Sequence, residues 1–203
     1  MKLHELLDDP SARIEAIAAW LDGVSHAERV EATRALDRAR QRKLYTRASL
    51  AAPITFEHFV PSARPSRTEV RHIGRNTLPV PRKYGVFEKR FCRPEDGSKR
   101  LFGYNESAVK DWAGPGYFVA KFTQGDPVWQ SRGDIVIDYF EVPDGPVAET
   151  WPKVVPNGQG LQRFIYGGTR DFMRKVSAHV SIGAAYKGER SLDHYFTLVR
   201  DDG

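Results

Sequence analysis

From about residue 53 the apolar residues of this chain alternate with polar ones, and few stretches of helical spacing interrupt the alternating segments. No other feature limits the fold as much. Strands joined by short connections must pair antiparallel, because a parallel pair needs a crossover of a dozen or more residues. Phe56, His58 and Val60 begin the alternation, and segments 68–73, 86–92, 100–104, 117–122, 135–142, 163–166, 176–186 and 194–200 continue it. Asp96-Gly97 marks one hairpin and Lys187-Gly188-Glu189-Arg190 a second. Residues 169–176 fit a short helix capped by Thr169, while Leu78-Pro79-Val80-Pro81 lacks two amide donors and reads as a loop or edge. Eight or nine short antiparallel strands close as a barrel or a strongly curled half-barrel.

The first 48 residues follow a different period. Asp9 and Pro10 suit a helix start, Ile14, Ile17, Leu21 and Val24 recur on one face, and Gly23 supplies a stop. Ser25-His26-Ala27-Glu28 is a capping box for a second helix running to about Ala48. That helix has a thin apolar face and a strongly basic remainder, so it is expected either to cap an open barrel or to lie on its wall. The fold class expected is α+β: an N-terminal antiparallel helix pair (1–48) packed on a mainly antiparallel curled β-sheet or small β-barrel (53–203), the two forming one structural unit.

Charge and cysteine usage exclude several function classes. The net charge of +5 is uneven: residues 49–100 carry a net +6 and residues 101–150 a net −5. Adjacent opposite segments suit charge pairing across a sheet better than a groove tracking phosphates, so nucleic acid is not an expected partner. One cysteine, Cys92, and an acidic N-terminal decapeptide point to a cytoplasmic protein, and no apolar run is long enough for a membrane span. The six histidines never fall at a metal-ligand spacing, so no metal is expected, and no phosphate-binding, dinucleotide or nucleophile-elbow motif names a cofactor. The oligomeric state leaves no mark on the sequence.

Candidate site residues are polar groups within apolar strands. Asp138 lies in Ile135-Val136-Ile137-Asp138-Tyr139-Phe140, Lys121 sits near Val119 and Tyr117, and Arg90 follows Glu88. A buried carboxylate must be paired, hydrogen-bonded or protonated, and each state serves binding, catalysis or simply a structural ion pair. His179 shares a strand face with Ser177 and Ser181, a face that meets either a lumen or solvent. Tyr104, Tyr117 and Tyr166 stand at loop–strand junctions, the last beside Gly167 and Gly168. Three functions fit these features. The first is a small-molecule-binding protein of the cytosolic β-barrel kind, holding a hydrophobic or aromatic ligand through Arg90, Tyr104, Tyr117, Lys121 and Tyr166. The second is an enzyme using His179 and Asp138 as a general acid–base pair in the same cavity. The third is an interaction module whose basic second helix or 64–100 segment meets an acidic protein or RNA.

Overall fold

Two side-chain caps shape the N-terminal layer. Ser25 accepts a hydrogen bond from the Glu28 amide at 3.3 Å and starts one helix, and Asp37 accepts from the Arg40 amide at 2.8 Å and starts another. The computed structural model describes residues 2–78, 85–107, 114–160 and 162–201, and in it the segment expected as one helix to Ala48 is broken at Asp37. The expected helix pair is therefore four helices: α1 (Leu3–Asp8), α2 (Ile14–Gly23), α3 (His26–Arg34) and α4 (Arg38–Arg47). Asp9 bonds the amide and hydroxyl of Ser11 instead of capping α2. At the other end of α2, Arg29 donates to the carbonyls of Leu21 and Val24, satisfying acceptors that a helix terminus leaves open.

The body is a closed antiparallel barrel in which chain order is spatial order. Its strands are β1 (Val70–Asn76), β2 (Val86–Cys92), β3 (Arg100–Glu106), β4 (Phe118–Phe122), β5 (Ile135–Asp138), β6 (Thr169–Lys175), β7 (Val180–Lys187) and β8 (Arg190–Arg200). Closure comes from β8 returning to β1, with His72 opposite Arg200 and Asn76 opposite Phe196. Short helices occur at α5 (Phe56–Phe59), α6 (Pro127–Arg132) and α7 (Gln162–Ile165). Among the described residues no helix is long and apolar enough to cross a membrane.

Four expected elements are corrected. Phe56–Val60 is the helix α5 and its exit, not a strand: Phe56 and Phe59, three residues apart, both turn toward the barrel end, where the Phe59 ring lies 4.8 Å from that of Phe91. Residues 163–165 of the expected strand 163–166 belong to helix α7, and residues 169–175 of the expected helix form β6. Thr169 explains the exchange, because its hydroxyl donates back to the Tyr166 carbonyl at 2.7 Å and closes the turn before it instead of capping a helix after it. β5 ends early as well: the Asp138 carboxylate accepts from the Phe140 amide and turns the chain out of the ladder.

Alternation divides each strand between lumen and outer wall. The lumen is filled by Phe87 and Phe91 from β2, Leu101 from β3, Phe118 from β4, Ile137 from β5, Met173 from β6 and Phe196 from β8, and α5 seals one end with Phe59. The outer faces of β7 and β8 (Val180, Ile182, Val199) pack under the four helices against Leu7, Ile17 and Leu44. Each fully buried Leu, Ile or Val contributes about 1.5–3 kcal/mol there. The helices thus lie on the wall and leave the lumen to the strands and α5. A third cluster, on the outer face of β3 and β4, is covered by residues 142–154 through Trp151 and Ala148.

Candidate functional site

The strand face Phe87-Lys89-Phe91 brings a lysine into an aromatic lumen. Lys89 is opposite His72 on β1 and opposite Asn105 on β3, and both neighbours also point inward. Its ammonium has three donors and meets three acceptors: Asn105 Oδ1 at 2.8 Å, Asp171 Oδ2 at 3.2 Å and the Tyr139 hydroxyl. Tyr139 donates in turn to Asp171 Oδ2 at 3.2 Å, and Asn105 Nδ2 donates to the Gly116 carbonyl at 3.0 Å. Four rings surround the ammonium, those of Phe87, Phe118, Tyr139 and Phe196, with centroids 5.0 to 5.6 Å from Nζ. Lys89 is 2% exposed and Asp171 6%.

This burial governs the ionisation of every member. Loss of water pushes the Lys89 ammonium below its ordinary value, against the pull of Asp171. The same loss raises the Asp171 carboxyl, against the pull of Lys89. Tyr139 is held well above its ordinary value by burial and by the neighbouring carboxylate, so it stays a donor. Both members of the ion pair are moved toward their neutral forms.

Among the described residues the two ends of the lumen are lined differently. At the α5 end Ile54, Phe59 and Val60 are fully buried. At the end holding Lys89 the lining side chains Phe87, Tyr166 and His194 are half-buried. Tyr166 lies over Tyr139, the rings stacked at 5.2 Å and 21°. Gly116 makes room for it: a β-carbon there would sit 2.4 Å from the Tyr166 ring, and its φ of +57° suits glycine in any case. Burial pushes the Tyr166 hydroxyl up to about 12.

The chain matches no family model, no curated protein and no solved structure. Its site is therefore read from its own geometry.

Of the residues singled out in the sequence, Tyr166 alone meets this centre. The others, apart from His179, line the outer wall. Tyr104 and Tyr117 pack against Trp151, with Tyr117 donating to the Pro152 carbonyl. Arg90 is held between Glu69 at 3.0 Å and Glu88 at 2.9 Å. Asp138, though 1% exposed, is on the outside, paired with Arg170 at 3.1 Å and Lys121 at 3.5 Å, so the structural ion pair is what the geometry gives. His179 precedes β7 in the tight turn after β6, where Arg200 approaches its Nδ1, while Ser181 faces the lumen without it. Asp138 is level with Arg170 and hence with Tyr186, seven residues beyond His179. At a rise of about 3.3 Å per residue this puts them roughly 20 Å apart along the barrel, and no acid–base pair forms between them. Arg67 and Arg100 of the basic segment are engaged by Glu95, Glu149, Asp96 and Asp144. Burial raises the Cys92 thiol to about 11, as suits a small core residue. Among the described residues no group of three or more His, Cys, Asp or Glu side chains is placed to hold a metal ion.

The residues missed were Lys89, Asn105, Tyr139 and Asp171. Lys89, flanked at ±2 by Phe87 and Phe91, carries the signal applied to Asp138, a charge flanked at ±2 by apolar residues, and that signal finds it. Asn105 fell just past the expected end of its strand, and Asp171 was read on a helix, where no lumen face exists.

Proposed function

We propose that the protein binds a small, uncharged molecule, apolar or aromatic, that carries a carbonyl group, in the half of the barrel lumen that holds Lys89. The observation supporting this is the satisfied Lys89–Tyr139–Asn105–Asp171 centre inside an aromatic wall. A buried ion pair returns little stability, and apolar residues of similar volume usually serve a core as well or better. A lumen that keeps such a pair beside Tyr139 carries N–H and O–H donors that a guest can take over from their internal acceptors. Charge balance sets the guest's character. Lys89 and Asp171 neutralise each other, so an ionised guest would bring an uncompensated charge into a low-dielectric site. A carbonyl oxygen can take over the Lys89 donor that otherwise goes to Asn105 Oδ1, while the faces of Tyr166 and Phe87 suit a flat apolar body.

The test uses acetophenone and benzoate as probes, followed by thermal shift and saturation-transfer NMR. Acetophenone is expected to bind saturably and raise Tm, and benzoate to do neither. In the double variant Lys89→Met/Asp171→Leu, which removes both charges together, the acetophenone response is expected to vanish. An equal response in native and double-variant protein would show that the lumen centre is not the site, and preferential benzoate binding would defeat the charge-balance reasoning.

A further inference from the structure

The donors that hold a carbonyl oxygen in this lumen are also the parts needed to capture its carbon. We infer that Lys89 is a covalent acceptor for aldehydes and reactive ketones, forming a Schiff base inside the barrel. This rests on the lumen-binding reading above and goes beyond it, since binding alone requires no bond.

The geometry supplies each role. Among the described residues Lys89 Nζ is the primary amine lying among Phe87, Phe118, Tyr139 and Phe196, and its neighbours are a carboxyl group at 3.2 Å and a phenol. When the ammonium proton passes to Asp171, directly or through the Tyr139 hydroxyl that bridges them, a free amine faces a carboxylic acid across one hydrogen bond. Burial favours that neutral arrangement from both sides. The amine lone pair then attacks the carbonyl carbon, a C–N bond forms, and the carbonyl π pair moves to oxygen, which takes the proton of Asp171. The nitrogen gives a proton back to the Asp171 carboxylate. Returned to the carbinolamine oxygen, that proton lets it leave as water while the nitrogen lone pair forms the C=N bond. Aldehyde and amine give imine and water, with no oxidant or reductant. The cationic imine left behind has Asp171 as its counter-ion, and the four rings favour a cation at that point. Asn105, fixed by its bond to the Gly116 carbonyl, keeps Nζ aimed and is a positioning residue.

The experiment traps the imine on the native chain. Protein is incubated with limiting benzaldehyde, reduced with borohydride, and the benzylated lysines are mapped by mass spectrometry. Label is expected first and predominantly on Lys89, giving one adduct per chain, and acetophenone added beforehand is expected to suppress labelling at Lys89 while leaving exposed lysines unchanged. Before reduction, a near-ultraviolet imine band is expected that is lost in Lys89→Met/Asp171→Leu. Label confined to exposed lysines, with acetophenone still binding, overturns the Schiff base and spares the binding reading. If neither probe engages the lumen, both fall together.

Discussion

At the scale of single residues, Lys89 and Asp171 are a costly choice, and their coupling gives a sharp test. Removing one member strands the other in a lumen of phenylalanines. Asp171→Leu leaves the Lys89 ammonium with only the Asn105 and Tyr139 oxygens, and Lys89→Met leaves Asp171 with only Tyr139. Each single change is expected to cost about 3–5 kcal/mol, whereas the double variant should be about as stable as the native chain or more so by about 1–4 kcal/mol. Urea unfolding of the four proteins closes the cycle. A double variant whose loss equals the sum of the singles would mean the two charges do not act as a pair. The same residues show what was legible. Apolar flanks at ±2 announce a buried charge, but not the side of the wall it faces: Asp138 and Lys89 share the pattern, yet one is on the outer wall and the other in the lumen. Which face is inside depends on closure, and closure is a property of all eight strands.

At the scale of elements, the hairpins and the segments richest in alternation were readable, and β2 and the turn before β8 lie where the residues put them. The misread segments each had a local pattern compatible with both states. Phe56, His58 and Val60 alternate, yet Phe56 and Phe59 also stand one helical turn apart, and the need to seal the barrel end selects the helix. The ladders on both sides of β6 override the helical spacing of 169–176. Inward glycines are another product of closure. Gly183 on β7 lies under the Phe196 ring, where a β-carbon would approach to 2.2 Å. Gly183→Ala is therefore expected to push Phe196 out of its place in the lumen and to cost about 1–3 kcal/mol, as overpacking does. The cost should appear as a lower denaturation midpoint with an unchanged m-value. An alanine variant as stable as the native chain would mean that the Phe196 ring has room to move.

At the scale of the whole molecule, the two ends of the barrel answer differently to pH. One end holds the balanced Lys89–Asp171 pair, while the end under α5 holds a histidine that must stay neutral. His58, in the plug helix α5, is 6% exposed, and neither ring nitrogen has a hydrogen-bond partner. Burial drives its pKa well below the ordinary value, and the charges of His72, Arg200, Lys175 and His179 add in the same direction. The sign follows from proton counts. Below about pH 6.5 the unfolded chain binds a proton at this position that the folded chain refuses, so stability is full above that value and falls as the medium becomes more acidic. One such histidine gives a slope of about 1.4 kcal/mol per pH unit between roughly pH 6.5 and 5, before the carboxylates begin to titrate. His194, with its pKa lowered first by burial and then by Arg38, adds a smaller contribution of the same sign. His58→Phe replaces the ring by one that takes up no proton and keeps the edge contact with Phe59. Urea midpoints measured across this range should fall for the native chain and flatten in the variant. Parallel slopes in the two proteins would place the acid sensitivity elsewhere and leave α5 a plain apolar plug.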